Sequence, residues 1–419
     1  MNASLALPPL STAIRQAVEQ LRPDAQRFLA DLIRIPSLPG REQEVMLLCE
    51  REFKKLGVTV ERVPLSDALK KDPDYSDPVP DIAYAGRFNL RVVRHGTGGG
   101  RKLLLNAHTD VVPPSEGQTE AFQPRVENGV IFGRGASDDK GQIALMYLTL
   151  RVLDALNLNL PGDLVGHLVV EEENGGNGSL AMARTMEKAD GCVVLESSDS
   201  KLYTSIRGAV WFRLVLHGKA GHSGAAGQTR SALLLARDAI AVLEGFHAEL
   251  LAASWGFPLF DSSPNPMPIT FGHLEAGNWP AAAPGRAVLE GVLGFLPNRT
   301  KEQVCAEMRG ALEHGLSEAV VHNFDLSFMY RHDCSVVDPA HPLPAALLAC
   351  ARSAGLPLTL GGMTASCDAW FYNNQLGIPT VVYGAGSLRH AHSKDEQLSL
   401  AELADAATVL TAFVHDYCR

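Results

Sequence analysis

The chain has 419 residues, 46% of them hydrophobic and 20% charged, so it is long enough for two domains and too apolar to be disordered. It has 37 basic and 47 acidic residues, a net charge of −10, and no run of basic residues. This excludes a nucleic-acid-binding protein, because neutralising phosphates needs clustered Lys and Arg. No apolar run has the length of a membrane span, the opening residues lack a signal peptide's basic region, and the seven cysteines form no CxxC pair. We therefore expect a cytoplasmic protein that binds neither nucleic acid nor membranes.

The first half of the chain alternates between predicted helices and strands. Two amphipathic helices lead into a loop rich in Pro and Asp, after which short apolar runs alternate with segments of helical spacing. Such alternation predicts an α/β fold with a mostly parallel sheet and helices on both faces. In chain order we predict helices at 14–35 and 42–56, a strand at 102–107, a helix at 142–157, a strand at 164–170, a helix at 179–188 and a strand at 192–195.

The pattern changes beyond residue 206 and returns near residue 329. Between these points, two predicted strands alternate with two helices, which is typical of a small α+β domain with an open sheet. We therefore predict a catalytic domain in two parts, 1–206 and 329–419, interrupted by a lid and dimerisation domain at 207–328. The predicted elements of these segments are strands at 209–216 and 286–296, helices at 230–251 and 301–314 (the second opened by a capping box from Thr300 to Gln303), a helix at 343–354, a strand at 380–383 and a helix opened by Ser399.

Acidic and imidazole side chains follow the ends of the predicted strands. Ligands of an open α/β sheet bind beyond the carboxyl ends of its strands, and carboxylates clustered there need cations between them. Two histidines and three carboxylates suit two divalent ions with a free position for water. Such ions lower the pKa of the water and polarise a carbonyl group. The residues are His108, Asp110, Asp138, Glu171, Glu172, Glu173, Glu196 and His392.

Around these residues the chain resembles the metallohydrolase family of acetylornithine deacetylase, succinyl-diaminopimelate desuccinylase, aminoacylase and glutamate carboxypeptidase. The similar stretches follow the family's order and extend over nearly the whole chain. One of them, DDKGQ, departs from the family's DMKGG without changing the ligand. The stretches are LLLNAHTDVVP (103–113), FQPRVENGVIFGRGASDDKG (122–141), EEENGG (171–176), VVLE (193–196), GKAGHSG (218–224), CDA (367–369) and AHSKDE (391–396).

The resemblance implies a role for each residue of the cluster. Asp138 would bridge two metal ions and be joined to the next residue by a cis peptide bond. Asp110 would support His108 from behind, and Glu172 would be the general base. The family usually binds zinc, and manganese or cobalt are the alternatives. The implied metal ligands are His108, Asp138, Glu173, Glu196 and His392.

The resemblance also assigns residues of the predicted lid. His222 resembles a lid histidine that reaches the partner subunit's active site and stabilises the oxyanion, which implies a homodimer formed through the lid. Asn278 resembles a lid asparagine that contacts substrate. The chain has Trp370 where many members have an arginine, and it lacks their Asp-Ile-Arg signature in the lid. Those arginines hold a substrate carboxylate, so we take Arg207, at the lid hinge, as their candidate replacement.

These residues predict a hydrolase that cleaves an amide C–N bond in a small carboxylate-bearing substrate, such as an N-acyl amino acid or a dipeptide. A metal-bridging hydroxide would attack, with Glu172 as base. A glutamate at Glu196 is more typical of the family's deacylases and carboxypeptidases than of its aminopeptidases. Two alternatives stay open. The hydroxide could attack a non-peptide C–N centre, such as an aryl amine or a carbamoyl group, or the chain could be a non-catalytic, metal-binding dimeric regulator, against which Glu172 argues.

Overall fold

The computed structural model of the protein describes residues 10–225, 227–317 and 323–419. Residues 1–9 lie outside the described residues, and the expectation about a signal peptide depends on them. None of the described helices is both long and apolar enough to cross a membrane. The helices are α1 (Leu10–Ile33), α2 (Gln43–Lys54), α3 (Lys140–Ala155), α4 (Asn177–Ala183), α5 (Ala232–Ala253), α6 (Lys301–Gly315), α7 (Pro342–Ser353) and α8 (Leu400–Tyr417), with a 3-10 turn at Asp67–Lys71 and a π-helical turn at Phe371–Gln375.

The described strands form a nine-stranded mixed sheet, a separate four-stranded antiparallel sheet and two smaller sheets. This arrangement confirms the predicted fold class, an α/β sheet with a second, inserted sheet. The strands are β1 (Thr59–Pro64), β2 (Phe88–Arg94), β3 (Leu103–His108), β4 (Arg125–Glu127), β5 (Val130–Phe132), β6 (Leu164–Val169), β7 (Gly191–Val194), β8 (Lys201–Ile206), β9 (Gly208–His217), β10 (Gly221–His222), β11 (Ile269–Ala276), β12 (Ala282–Ala283), β13 (Arg286–Phe295), β14 (Phe324–His332), β15 (Ser335–Val336), β16 (Thr359–Met363), β17 (Thr380–Val382) and β18 (Gln397–Ser399).

The large sheet is parallel in its centre and mixed towards its edges. Its order is β1-β2-β6-β3-β7-β17-β8-β15, with β16 paired to β8, and the central pairs β6–β3, β3–β7 and β7–β17 are parallel. Strand β3 is buried at every residue. Leu103 and Leu105 belong to the core that includes α1, α3 and α8, whereas Leu104 belongs to a second core with residues of α4. The strand is therefore covered on both faces, which explains its continuous apolar run.

The inserted sheet has the order β11-β13-β9-β14 and is antiparallel throughout. Alternate residues of β9, such as Val210 and Phe212, join the core that α5 and α6 form with this sheet. The residues between them lie on the opposite face, as the two-residue period of a strand requires. The predicted capping box is confirmed, because Thr300 Oγ1 accepts from Gln303 N at 3.3 Å and Gln303 Oε1 accepts from Thr300 N at 2.9 Å.

Several elements differ from the sequence prediction. Many strands were not predicted, namely β1, β2, β8, β11 and β14 and the short strands β4, β5, β10, β12, β15, β16 and β18. Strands β1 and β11 are largely exposed and lack an apolar run. Helix α4 ends at Ala183 instead of 188, because the chain turns at Met186, whose φ is +57°. Strand β14 continues to His332, so the predicted domain boundary at 328 falls inside a strand. The domain boundaries themselves stay predictions.

Candidate active site

The predicted site residues meet at one edge of the large sheet. His108 is the last residue of β3, Glu172 and Glu173 follow β6, and Glu196 follows β7. Because β6, β3 and β7 are adjacent and parallel, their carboxyl ends bring these side chains together. His392 lies in the loop between β17, the next strand of the sheet, and β18.

Asp138 lies between two groups of candidate ligands. Its Oδ1 is 3.0 Å from His108 Nε2, and its Oδ2 is 3.3 Å from His392 Nε2. Glu196 Oε1 is 3.9 Å from His108 Nε2, and Glu173 Oε2 is 3.0 Å from His392 Nε2. Each group thus contains one imidazole and at least one further carboxylate, and Asp138 belongs to both.

Asp139 is a member of the first group that the sequence did not predict. A cis peptide bond joins it to Asp138, as the resemblance implies. Its Oδ2 accepts from the backbone N–H of His108 at 2.9 Å, while its buried Oδ1 has no hydrogen-bond partner among the described residues. The only sequence signal was the pair of adjacent aspartates, which does not show which one faces the site.

Asp110 connects the loop after β3 to the loop after β6. Its Oδ1 is 3.3 Å from His108 Nδ1, whose nearest acceptor is the backbone oxygen of Asp110 at 3.1 Å. The same carboxylate accepts the backbone N–H of Glu172 through Oδ1 and that of Glu173 through Oδ2, both at 3.0 Å. Asp110 is therefore placed both to orient the His108 imidazole and to fix the two glutamates.

The electrostatics of the cluster suit cations. Burial, reinforced by nearby carboxylates, raises the pKa of Glu172 and of Glu196 well above the usual value. Burial lowers the pKa of His392, but Glu173 and Asp138 outweigh it and raise that pKa to about 11. Glu173 Oε1 is also buried without a partner in the described part of the chain. In the described part of the chain, imidazolium is the counter-charge of these buried carboxylates, and divalent ions would complete such a donor set.

The three consecutive glutamates have different surroundings. Glu172 and Glu173 line the cavity in front of the sheet edge, whereas Glu171 is fully buried. The Glu171 carboxylate pairs with Arg87 and accepts from Tyr84 Oη at 2.8 Å and from Asn177 Nδ2 at 3.0 Å. Glu171 therefore holds the loop from behind, a distinction that a run of identical residues cannot show.

Glu396 is a second buried carboxylate that the sequence did not single out. Its Oε1 accepts the backbone N–H groups of Gly135, Ser137 and Asp138 at 3.0, 3.2 and 3.1 Å. Its Oε2 pairs with Arg134 Nη1 at 2.5 Å. The segment that carries His392 thus holds the loop that carries Asp138. The position of Glu396 in the AHSKDE stretch was its one sequence signal.

A cavity of about 470 Å³ opens in front of these residues. Glu172, Glu173 and His392 lie on one side of it and the inserted sheet on the other, where Arg207 provides a cation. Arg207 Nε donates to Thr364 O at 2.5 Å and Nη1 donates to Gly208 O at 3.1 Å, whereas Nη2 makes no hydrogen bond to any described residue. Burial without a paired carboxylate lowers the pKa of Arg207 to about 10.

The chain does not bring the other two predicted lid residues into this cavity. His222 and Asn278 are exposed and do not line it. His222 Nδ1 accepts from Gly224 N at 3.0 Å, and β10, which contains His222, pairs with β12. Trp370 is buried, with its ring centroid 4.4 Å from that of Phe371, so it does not replace the missing arginine in the cavity.

Comparison with known proteins agrees with the fold and the ligand groups. The sequence profile of Peptidase family M20/M25/M40 matches residues 104–416. The chain therefore belongs to peptidase family M20/M25/M40, a family of metallohydrolases that act on C–N bonds. This membership confirms the resemblance, which includes the desuccinylase branch, and confirms the prediction of an enzyme.

Individual relatives cover nearly the whole chain. A succinyl-diaminopimelate desuccinylase of Methylorubrum extorquens is 30% identical over 418 residues, which are 92% of this chain and 96% of that protein. An N-formyl-4-amino-5-aminomethyl-2-methylpyrimidine deformylase of Halalkalibacterium halodurans is 27% identical over 422 residues, 92% of this chain and 91% of that protein. The structure of the dipeptidase Dug1p from Saccharomyces cerevisiae has the same fold, with a TM-score of 0.78 at 15% identity and 98% of each chain covered.

Proposed function

We propose that the protein hydrolyses the amide bond of a small N-acyl compound that bears a carboxylate, with two divalent ions and Glu172 as general base. The observation that carries this proposal is the position of Asp138 between two ligand groups in the cavity that Glu172 also lines. A cavity of about 470 Å³ suits a small molecule rather than a folded protein.

The described residues fit two ions. We assign His108 and Glu196 to one ion, Glu173 and His392 to the other, and Asp138 to both. These nitrogen and oxygen donors suit zinc, and they also suit manganese or cobalt. When bound, the ions would lower the pKa of a water molecule and polarise the carbonyl oxygen of the substrate.

Glu172 would move the proton. Its backbone is fixed by Asp110, and its buried side chain has a pKa raised well above the usual value, which favours a carboxylate that accepts a proton and later releases it. In this assignment, the Glu172 carboxylate takes a proton from the attacking water and delivers it to the leaving nitrogen. Asp110 contributes through positioning, because its two oxygens are committed to the backbone of the glutamate loop.

Arg207 would hold the substrate carboxylate. It is a half-buried cation in the cavity wall with no carboxylate partner among the described residues, and its Nη2 is available to donate. A guanidinium with free donors in a partly dry cavity is suited to a carboxylate ligand.

His222 and Asn278 would act across a dimer interface. Both are exposed on the lid, outside the cavity of their own chain. We propose that a second copy binds through the lid, so that each lid delivers His222 to the oxyanion and Asn278 to the substrate in the partner's cavity. This arrangement accounts for two exposed polar residues at the same end of the lid.

The relatives favour an acyl group as the part that is removed. The names of the M. extorquens and H. halodurans proteins both describe removal of an acyl group from nitrogen, a succinyl or a formyl group. The second name describes a pyrimidine that carries no carboxylate, and it therefore supports a second candidate, deacylation of a neutral aminomethyl heterocycle.

A substrate panel separates the two candidates. Metal-loaded enzyme would be incubated with N-formyl, N-acetyl and N-succinyl amino acids, and with N-formyl aminomethylpyridines as neutral analogues, and release of the free amine would be measured. We expect turnover of the amino acid derivatives, with a raised KM in Arg207→Ala. Turnover of the neutral formamides alone would contradict the role of Arg207, and no turnover of either series by fully loaded enzyme would contradict amide hydrolysis.

A further inference from the structure

The lid side of the cavity contains an aromatic surface that the proposed chemistry does not use. In the register of the lid sheet, Trp211 of β9 lies opposite Val292 of β13 on one side and Tyr330 of β14 on the other. All three residues line the cavity. The Trp211 and Tyr330 rings are stacked, with centroids 5.3 Å apart and an interplanar angle of 16°.

Tyr330 supports this stack and is held rigidly. Its ring is buried, and its hydroxyl lies 2.8 Å from His332 Nδ1 and 2.8 Å from Ser366 Oγ. His332 is itself buried and places Nε2 2.9 Å from Gly175 O, in the turn that follows the base Glu172. Burial lowers the pKa of His332 to about 3, so the neutral ring donates to Gly175 O and accepts from Tyr330. Tyr330 is thus tied to both sides of the cavity.

Trp211 covers the Tyr330 ring and stays partly open to the cavity. Its side chain is half-buried, and its indole N–H makes no hydrogen bond to the described residues. Arg207, Ala209 and Trp211 alternate along the chain and share the cavity face of the lid sheet. The small Ala209 leaves space between the Arg207 guanidinium and the Trp211 indole. In an extended chain, the Cα atoms of Arg207 and Trp211 are about 13 Å apart.

We infer that Trp211, stacked on Tyr330, is a specificity-determining residue that selects substrates carrying a planar aromatic or heteroaromatic ring. This inference rests on the proposed function and adds to it the chemical class of the substrate. A planar ring would stack on the part of the indole that is open to the cavity while the carboxylate binds Arg207, so that the amide reaches Glu172 between them. A flat, fixed apolar surface favours planar over puckered rings, because only a planar π-system makes full offset contact with it.

A matched pair of substrates tests this selection. N-formyl-L-phenylalanine and N-formyl-L-cyclohexylalanine share the carboxylate and the formamide, and only the first has a planar ring. We expect kcat/KM to favour the aromatic compound by about three- to tenfold in the wild type, the range for one aromatic pair. In Trp211→Leu the ratio should fall to about one, through KM rather than kcat, whereas Trp211→Phe should keep the preference.

The control is Trp255→Leu, because Trp255 is 80% exposed and lies outside this cavity. A general effect on folding would change both substrates alike, so the ratio of their KM values isolates the stacking. An equal ratio in the wild type, or a preference that persists in Trp211→Leu, would overturn the inference while leaving amide hydrolysis intact.

If neither compound is hydrolysed, that result counts against the proposed function and leaves the stacking role to be decided. A binding measurement then tests the stacking role separately. Binding of L-phenylalanine and L-cyclohexylalanine would be measured by isothermal titration calorimetry in the wild type and in Trp211→Leu, because this signal does not depend on the tryptophan that is removed. Tighter binding of the aromatic amino acid, lost in Trp211→Leu, supports the stacking role. Equal or undetectable binding of both compounds overturns it.

Discussion

The two sides of the cavity are built differently. On the sheet edge, the carboxylates are almost fully buried and are fixed by neighbours on other loops, as Asp110 fixes the glutamates and Glu396 fixes the loop of Asp138, whereas His392 is exposed. On the lid, Arg207 and Trp211 are half-buried with donors still free, and His222 is exposed outside the cavity. From this difference we expect one chain to hold its ligand groups and Glu172 in place by itself, and the proposed recognition and oxyanion stabilisation to be completed by a substrate or a second copy.

The largest effect is expected from loss of the shared ligand. Because Asp138 belongs to both groups, Asp138→Ala should lose both ions and lower turnover by about a thousandfold or more, given that bound ions contribute several kcal/mol. Elemental analysis should find two divalent ions per wild-type chain and fewer than one in the variant. Asp154→Ala, on an exposed side chain, is the control and should keep both. Two retained ions in Asp138→Ala would contradict the bridging role.

The next largest effect separates two adjacent glutamates of the same side-chain chemistry. Glu172→Gln should keep both ions and lower kcat by about a hundredfold or more, because the amide cannot accept a proton. Glu173→Gln should instead lose the ion that it shares with His392. Metal content and kcat measured on both variants give opposite patterns, and a reversed pattern would exchange the two assignments.

The contrast between the two sides also explains what could be predicted from the sequence. The fold class followed from alternating apolar runs. His108, Glu172 and Glu196 were found because they follow strand ends, whereas Asp138 and His392 lie in longer loops and were found from the motifs around them. Strands β1 and β11 were missed because their exposed residues show no apolar period, and only pairing with distant strands defines them.

The supporting contacts depend on the fold rather than on a local pattern. Arg87 meets Glu171 across 84 positions of the chain, and Glu396 meets the backbone of Gly135 across 261. Nothing near either residue in the sequence predicts such a partner. The stack of Trp211 on Tyr330 was hidden for the same reason, because its register is set by β9 and β14 together.

Substitution of His222 tests the proposed role of the lid. His222→Ala should keep the metal content and the dimer but lower kcat by about 10²- to 10³-fold, the range for loss of one oxyanion donor. Light scattering should show a dimer for the wild type and the variant. His314→Ala, a substitution of an exposed lid histidine, is the matched control and should have no effect on kcat.

Mixed dimers decide in which subunit His222 acts. If His222→Ala chains exchange with Glu172→Gln chains, each mixed dimer contains one site with both Glu172 and the partner's His222. Activity should therefore return on mixing, in proportion to the mixed species. A monomeric wild type, or verified exchange without recovery, would refute the shared site and leave the sheet edge as the complete catalytic centre.

The smallest effect concerns the support of the ions rather than the ions themselves. Glu396→Gln removes the charge that faces Arg134 and disturbs the acceptor of three backbone N–H groups beside Asp138. Residues that hold metal ligands typically change metal affinity by about ten- to a hundredfold when altered. We expect a loss of zinc affinity in that range, measured by competition with a chromogenic chelator, and nearly unchanged kcat at saturating metal.

Breaking the Arg134–Glu396 pair also destabilises the fold, because both side chains are almost fully buried. Arg134→Gln separates the two effects, since it breaks the same pair and leaves Glu396 Oε1 to accept its three N–H groups. Both variants should lower the Tm, but only Glu396→Gln should lose most of its zinc affinity, and the exposed Asp395→Asn should change neither. Equal loss of affinity in Glu396→Gln and Arg134→Gln would mean that Glu396 acts on zinc binding through its pair with Arg134, and would contradict a role for the three N–H groups that Glu396 Oε1 accepts.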